Sequence, residues 1–268
     1  AGVSDSTPSS SSSNFSGSHR QAALSVREAG PKLYTLSVLD CFGNTETRPR
    51  QRSNGRDVVT TRQQHYFTER AEGHAKRART RAALLDGAIS VVARHGLEST
   101  TIQAVTRATG VAHGTFYNHF DDREDLLVSA AIAVLDEINV GVQAAAQRFP
   151  PGVDRLVIAA AKTSMEAVSI REFGHLLVAA VGRFPQVTDR IRPKLRADLR
   201  AAHAAGVVRV APTRLLDEQI GALLGLAIQR VLSGGQVSRI TRETAHAILR
   251  LLGQTPDEAA ATVRRVFK

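Results

Sequence analysis

The chain of 268 residues holds one cysteine, Cys41, which leaves no disulfide framework and no cysteine-built zinc site. Its nine histidines do not pair at i, i+4, so the usual helical metal spacing is missing too. No apolar run approaches the roughly 20 residues of a membrane span, which excludes a helical membrane protein. Residues 1–18 are Ser-rich and lack both the basic start and the apolar centre of a secretory signal. Nucleophile-elbow, phosphate-loop, dinucleotide-binding and metal-hydrolase motifs are all absent, so nothing points to an enzyme. Strand signals are scarce as well; 207–210 is too short and too isolated to count. Lysine is rare, five against thirty arginines, which reads as GC-rich coding rather than as a phosphate-binding device.

What is present is a chain with 43% apolar and 22% charged residues, enough to bury a core. The length is comfortable for two domains. These features predict a soluble, cytoplasmic, non-enzymatic protein without cofactor, metal or membrane partner. The net charge of +10 permits a nucleic-acid partner without proving one.

Residues 1–73 differ from the rest. Ser9–Ser13 is a homopolymer, and no helical or strand period holds for long. Too little apolar surface recurs on one face to offset backbone entropy, so a disordered leader is expected. The only methionine is Met165, so the patterned part of the chain has no Met to start from. Val58 or Val59 would serve as an alternative start, and much of 1–58 is then expected to be translated upstream sequence. Peptides from residues 20–50 of the endogenous protein would overturn that expectation. A basic arm on DNA is the weaker alternative: nine basic residues against seven acidic ones leave this segment only +2.

From residue 75 the pattern is helical. Leu84, Leu85, Ala88, Ile89 and Val92 share one face, and the segment stops at His95-Gly96. Thr100 reads as the cap of a short helix over 102–108, and Thr109-Gly110-Val111 as a tight turn. A second short helix is expected over 112–119. Asp122 then caps a long helix with Glu124 and Asp125 in its first turn, running to Arg148 and stopping at Pro150-Pro151. Helices are expected over 154–170, 172–183, 189–205, 213–232, 241–252 and 256–266, with Pro185 as a break. The reading is an all-α protein of nine to ten helices.

Residues 99–120, STTIQAVTRATGVAHGTFYNHF, have helix-turn-helix spacing, in which the second helix enters a DNA major groove and the first braces it. Val105, Val111, Phe116 and Phe120 fall on the inner side. Residues 82–127 resemble the DNA-binding domain of TetR/AcrR-type transcriptional regulators. The resemblance rests on the first helix, Gly96, Thr100-Thr101, Gly110-Val111, 114–117 (GTFY), His119-Phe120 and 123–127 (REDLL). Thr106 departs from the family's usual Ala, Ala112 from its usual capping Ser, and Arg123 from its usual Lys. After residue 127 the likeness is one of architecture only. It implies an N-terminal three-helix helix-turn-helix domain at 74–123 and a helical ligand-binding and dimerisation domain at 124–268.

The candidate DNA-binding residues follow from this. Thr101 sits at a helix N-terminus, where a hydroxyl and free N–H groups take a phosphate or simply cap. Gln103 can offer its amide to an adenine edge, or be merely solvated. Ala112, His113 and Gly114 open the recognition helix, and Gly114 lets the backbone approach DNA. Thr115 offers a hydroxyl to phosphate and a methyl to thymine. The resemblance implies that Tyr117 and His119, with Asn118 between them, grip phosphates; Arg123 should clamp another. Residues 74–120 hold six basic and two acidic residues, with Lys76, Arg77, Arg79 and Arg81 clustered before and at the first helix.

One recognition helix reads few base pairs, so a homodimer on a palindromic double-stranded operator is expected. Residues 213–232 and 241–252, with the small residues Gly221, Ala222 and Gly225, form the candidate dimer surface. Met165, Phe173, Leu176 and Phe184 are possible pocket walls and His175 and His203 possible polar groups, although ordinary packing explains each as well. The favoured reading is a sequence-specific repressor released by a small-molecule effector. A non-specific DNA-packaging protein and an all-helical enzyme are the alternatives.

Overall fold

The computed structural model describes residues 65–267, which contain eleven helices and no strand. They are α1 (Tyr66–Arg70), α2 (Lys76–His95), α3 (Ile102–Thr109), α4 (His113–Phe116), α5 (Arg123–Ala146) and α6 (Val153–Ser169). The rest are α7 (Arg171–Ala180), α8 (Pro185–Ala204), α9 (Arg214–Leu232), α10 (Val237–Leu251) and α11 (Pro256–Val266). The expectations for residues 1–64, including the alternative start, lie outside the described residues.

Several expectations about elements change. The last part of the leader, expected to be patternless up to residue 73, holds α1, because a distant carboxylate caps it. Asp86 of α2 accepts from the backbone N–H groups of Phe67 and Thr68 at 2.9 and 2.8 Å. Pro185 begins α8 instead of only breaking the chain, since a first-turn proline gives up no intrahelical hydrogen bond. The cap of α3 is Thr101, whose hydroxyl accepts from the Ala104 N–H, whereas Thr100 is buried and bonds back to the Gly96 carbonyl.

The apolar residues form two main clusters. One runs from Leu84, Ile89, Val105, Phe116 and Phe120 through Leu127, Val134 and Ile138 of α5 to Phe173, Leu177 and Phe184. The other joins α6, α8, α9, α10 and α11 at the far end, around Val157, Leu199, Ile220, Ile248 and Val263. The first cluster crosses residue 123 without a gap. The helix-turn-helix is therefore seated on α5 and α7 as one packed body, not hung from a flexible linker. Met165, Phe173, Leu176 and Phe184 are all buried core, and the His203 ring bonds the Val208 carbonyl at 3.0 Å. No described helix is long and apolar enough to cross a membrane.

Candidate nucleic-acid interface

The crossing of α2 and α3 sets the geometry of the site. A Cβ on Gly87 would lie 2.3 Å from Thr109 Cγ2 and 3.3 Å from Val105 Cγ1, so only glycine allows this approach. Gly110 then closes α3 in the left-handed region at φ 70°, a conformation other residues adopt at a cost. The turn delivers α4 with Phe116 fully buried and Phe120 behind it. Thr106, the residue that departs from the family's alanine, is buried with its hydroxyl bonded to the Gln103 carbonyl at 3.3 Å.

The recognition helix is shorter than the expected 112–119. Ala112 offers no side-chain cap, and α4 makes one turn before the backbone tightens into i, i+3 bonds from Asn118 and His119. Burying Phe116 and Phe120 turns the intervening residues outward. Tyr117 is 53% exposed, and its ring stands edge-on to His113 at 5.6 Å. Thr101, Gln103, Ala112, His113, Gly114 and Asn118 are exposed, and Thr115 half-exposed. The structure thus gathers the sequence-predicted residues of α3 and α4 on the outside of one crossed pair of helices.

Two arginines are placed differently from expectation. The Arg123 guanidinium donates to the carbonyls of Thr100 and Leu97, tying the start of α5 to the loop after α2. Those bonds occupy Nε and Nη2, one edge of the half-buried guanidinium. Arg81 lies over the Phe120 ring at 4.4 Å, half-buried, with burial pushing its guanidinium below the ordinary range. Lys76, Arg77, Arg79 and Arg107 remain exposed. Arg77 also donates to the Asn118 carbonyl at 3.4 Å, linking the basic start of α2 to the end of the recognition turn.

His119 sits between these groups. Its Nδ1 is buried without a hydrogen-bond partner, which leaves Nε2 as the nitrogen for a ligand. Burial first, and then the charges of Arg77 and Arg81, lower its pKa below the usual histidine value, so the ring is neutral at pH 7. Among the described residues there is no cluster of His, Cys, Asp and Glu fit to hold a metal. The contacts of Asp86, Gly87 and Arg77 were not read from the sequence; Gly87 carried the only available signal, a glycine inside a strong helical period.

Comparison with known proteins bears on the family of this segment and on the fold. Residues 84–130 match the profile of the family described as bacterial regulatory proteins, tetR family. The chain is 36% identical over 56 residues to the HTH-type transcriptional repressor AcnR of Corynebacterium glutamicum, covering 21% of this chain and 30% of that protein. It is 37% identical over 62 residues to the HTH-type transcriptional regulator AcrR of Shigella flexneri, covering 23% and 28%. The chain thus spans about 30% of the length of such curated relatives. Over a longer stretch, the fold matches RolR solved with resorcinol, with a TM-score of 0.57 and 24% identity, covering 71% of this chain and 95% of that one. A TetR-family regulator from Syntrophomonas wolfei gives 0.55 at 17% identity, covering 65% and 95%.

Proposed function

From a TetR-family domain at residues 84–130, we propose that this chain is a homodimeric, sequence-specific DNA-binding transcriptional regulator, a repressor released by a small molecule. The observation that carries this reading is the outward row of Thr101, Gln103, His113, Gly114 and Tyr117 on a helix pair whose inner side is fully committed to the core. Gln103 and His113 are the base-edge candidates. The Thr101 and Thr115 hydroxyls, Tyr117, Asn118, His119 and the exposed Arg77 face phosphates. Arg123 acts through the loop it holds and positions α3.

Dimerisation is assigned to α9 and α10. Leu215, Gln219, Ala222 and Leu226 form one exposed row on α9, with Leu215 63% and Leu226 49% exposed. A shallow cavity of about 340 Å³ lies along this row, lined by Gln219, Ala222, Leu223, Leu226 and Leu251. Nothing approaches within 4 Å of where a Cβ would stand on Gly221 or Gly225, so a partner helix can come close. We take the effector site to lie among the helices of 124–233, a reading that the likeness in fold to RolR, solved with resorcinol, supports.

The test is selection of genomic fragments by the purified protein, followed by footprinting of the recovered sites. A shared palindrome, protected in a strongly salt-dependent way, supports the reading. Recovery of unrelated fragments with equal affinity would replace it with non-specific packaging.

A further inference from the structure

The short helix α1 lies before the region that matches the family profile and is bound to three other helices. At its N-terminus, Asp86 of α2 accepts from the N–H groups of Phe67 and Thr68 and, at 2.7 Å, from the Thr68 hydroxyl. At its C-terminus, Arg70 donates at 2.7 Å to Glu137 of α5, a carboxylate only 7% exposed, and at 2.7 Å to the Tyr66 hydroxyl. On its apolar side, Tyr66 and Phe67 pack on Phe173 of α7, with ring centroids 5.1 and 6.0 Å apart. A five-residue helix is too short to hold itself together, so these contacts hold it.

The three anchors belong to different parts of the protein. Asp86 is on the helix that braces the helix-turn-helix, whereas Glu137 and Phe173 are on helices of the effector domain. We propose that α1 is a strap that fixes the DNA-binding domain against α5 and α7, and so sets the orientation in which two recognition helices meet one operator. The chemistry of the strap is suited to this. Asp86 is buried, so it is committed to the α1 amides and not to solvent. Glu137 would be a buried, uncompensated carboxylate without Arg70. Releasing α1 therefore disturbs both domains at once. The strap's effect on DNA rests on the proposed function; its mechanical role does not.

The test uses the full chain with Tyr66→Ala and Phe67→Ala together, which removes the aromatic anchor and the hydroxyl that Arg70 bonds; both side chains are only partly buried and pack on the edge of the first apolar cluster. A second variant, Arg70→Met with Glu137→Gln, cuts the polar anchor without leaving a buried charge. Amide exchange is read first, without DNA. Both variants should lose protection at Phe67 and Thr68 and gain exchange in α2 around Asp86 and in α5 around Glu137. Affinity for the recovered palindrome should then fall about 3- to 30-fold, the range in which positions between coupled sites act, while affinity for a single half-site and the salt slope stay unchanged. Loss of protection confined to α1 would overturn the strap, even if the wild-type chain bound no DNA. A fall in affinity accompanied by a shallower salt slope would overturn it too, because α1 would then be touching phosphate.

Discussion

Tyr117 carries its hydroxyl into solvent while its ring leans on His113 and Phe116, so the two parts of the side chain can be tested apart. Tyr117→Phe keeps the ring contacts and should weaken binding about 10-fold across all operator variants, the cost of one hydrogen bond to a charged group. Arg123→Ala should behave in the opposite way. Its guanidinium is spent on two carbonyls, so its loss should lower stability by about 1–3 kcal/mol and leave the salt slope of DNA binding unchanged. A slope shallower by about one unit per half-site would restore it as a phosphate clamp. The sequence could not separate these roles. Both residues are polar and lie in or beside the motif, but the acceptors of Arg123 are backbone carbonyls 23 and 26 positions away.

The pKa of His119 is lowered by burial and by Arg77 and Arg81. A phosphate beside the ring reverses the balance and favours the cation, so binding takes up a proton. Affinity should rise as pH falls from the bound-state pKa towards the lower free-state value, and His119→Gln should flatten that rise in a binding titration. Stability in the free protein moves the other way. Above about 6.5 the ring is neutral in both states; below it the unfolded chain protonates first, and stability drops. Opposite pH trends in binding and in thermal unfolding, both lost in His119→Gln, are the expected signature. Parallel trends would place the phosphate elsewhere.

Among the elements, the helix crossing at Gly87 is the most constrained. Gly87→Ala gains about 1 kcal/mol of helix propensity. It also drives a methyl into Thr109 Cγ2, whose hydroxyl is held by the Val105 carbonyl at 3.0 Å and cannot swing away freely. The clash should win, with a net loss of about 1–2 kcal/mol in denaturant unfolding, and adding Thr109→Ser should recover much of it. No recovery in the double variant would mean that the strain lies in the backbone. The elements themselves were largely legible. Apolar residues at helical spacing mark α2, and α11 spans the expected 256–266. What the pattern could not reveal was α1, because its N-terminal amides are satisfied by a carboxylate 18 and 19 residues downstream. The missing cap at Ala112 was legible, but the early end of α4, where Asn118 and His119 turn to i, i+3 bonds, was not.

At the scale of the whole molecule, the question is what the exposed row on α9 is for. On the proposed function, a single α4 of one turn reaches only a few base pairs, so specificity would require two copies held at a fixed spacing. The row of Leu215, Ala222 and Leu226 is the apolar surface that a monomer would have to leave in water. Leu226→Glu places a charge at the C-terminal end of that row, on a side chain 49% exposed. Covering this half-exposed leucine is worth half of the roughly 1.5–3 kcal/mol of a full leucine burial, and a symmetric interface loses it twice. An unpaired carboxylate on each side adds a desolvation cost. Sedimentation should therefore show a monomer at concentrations where the wild type is dimeric, with unchanged helix content. Palindrome affinity should collapse to that of one half-site. If Leu226→Glu sedimented as a dimer, the interface would have to lie elsewhere than on α9, and the spacing of the two recognition helices with it.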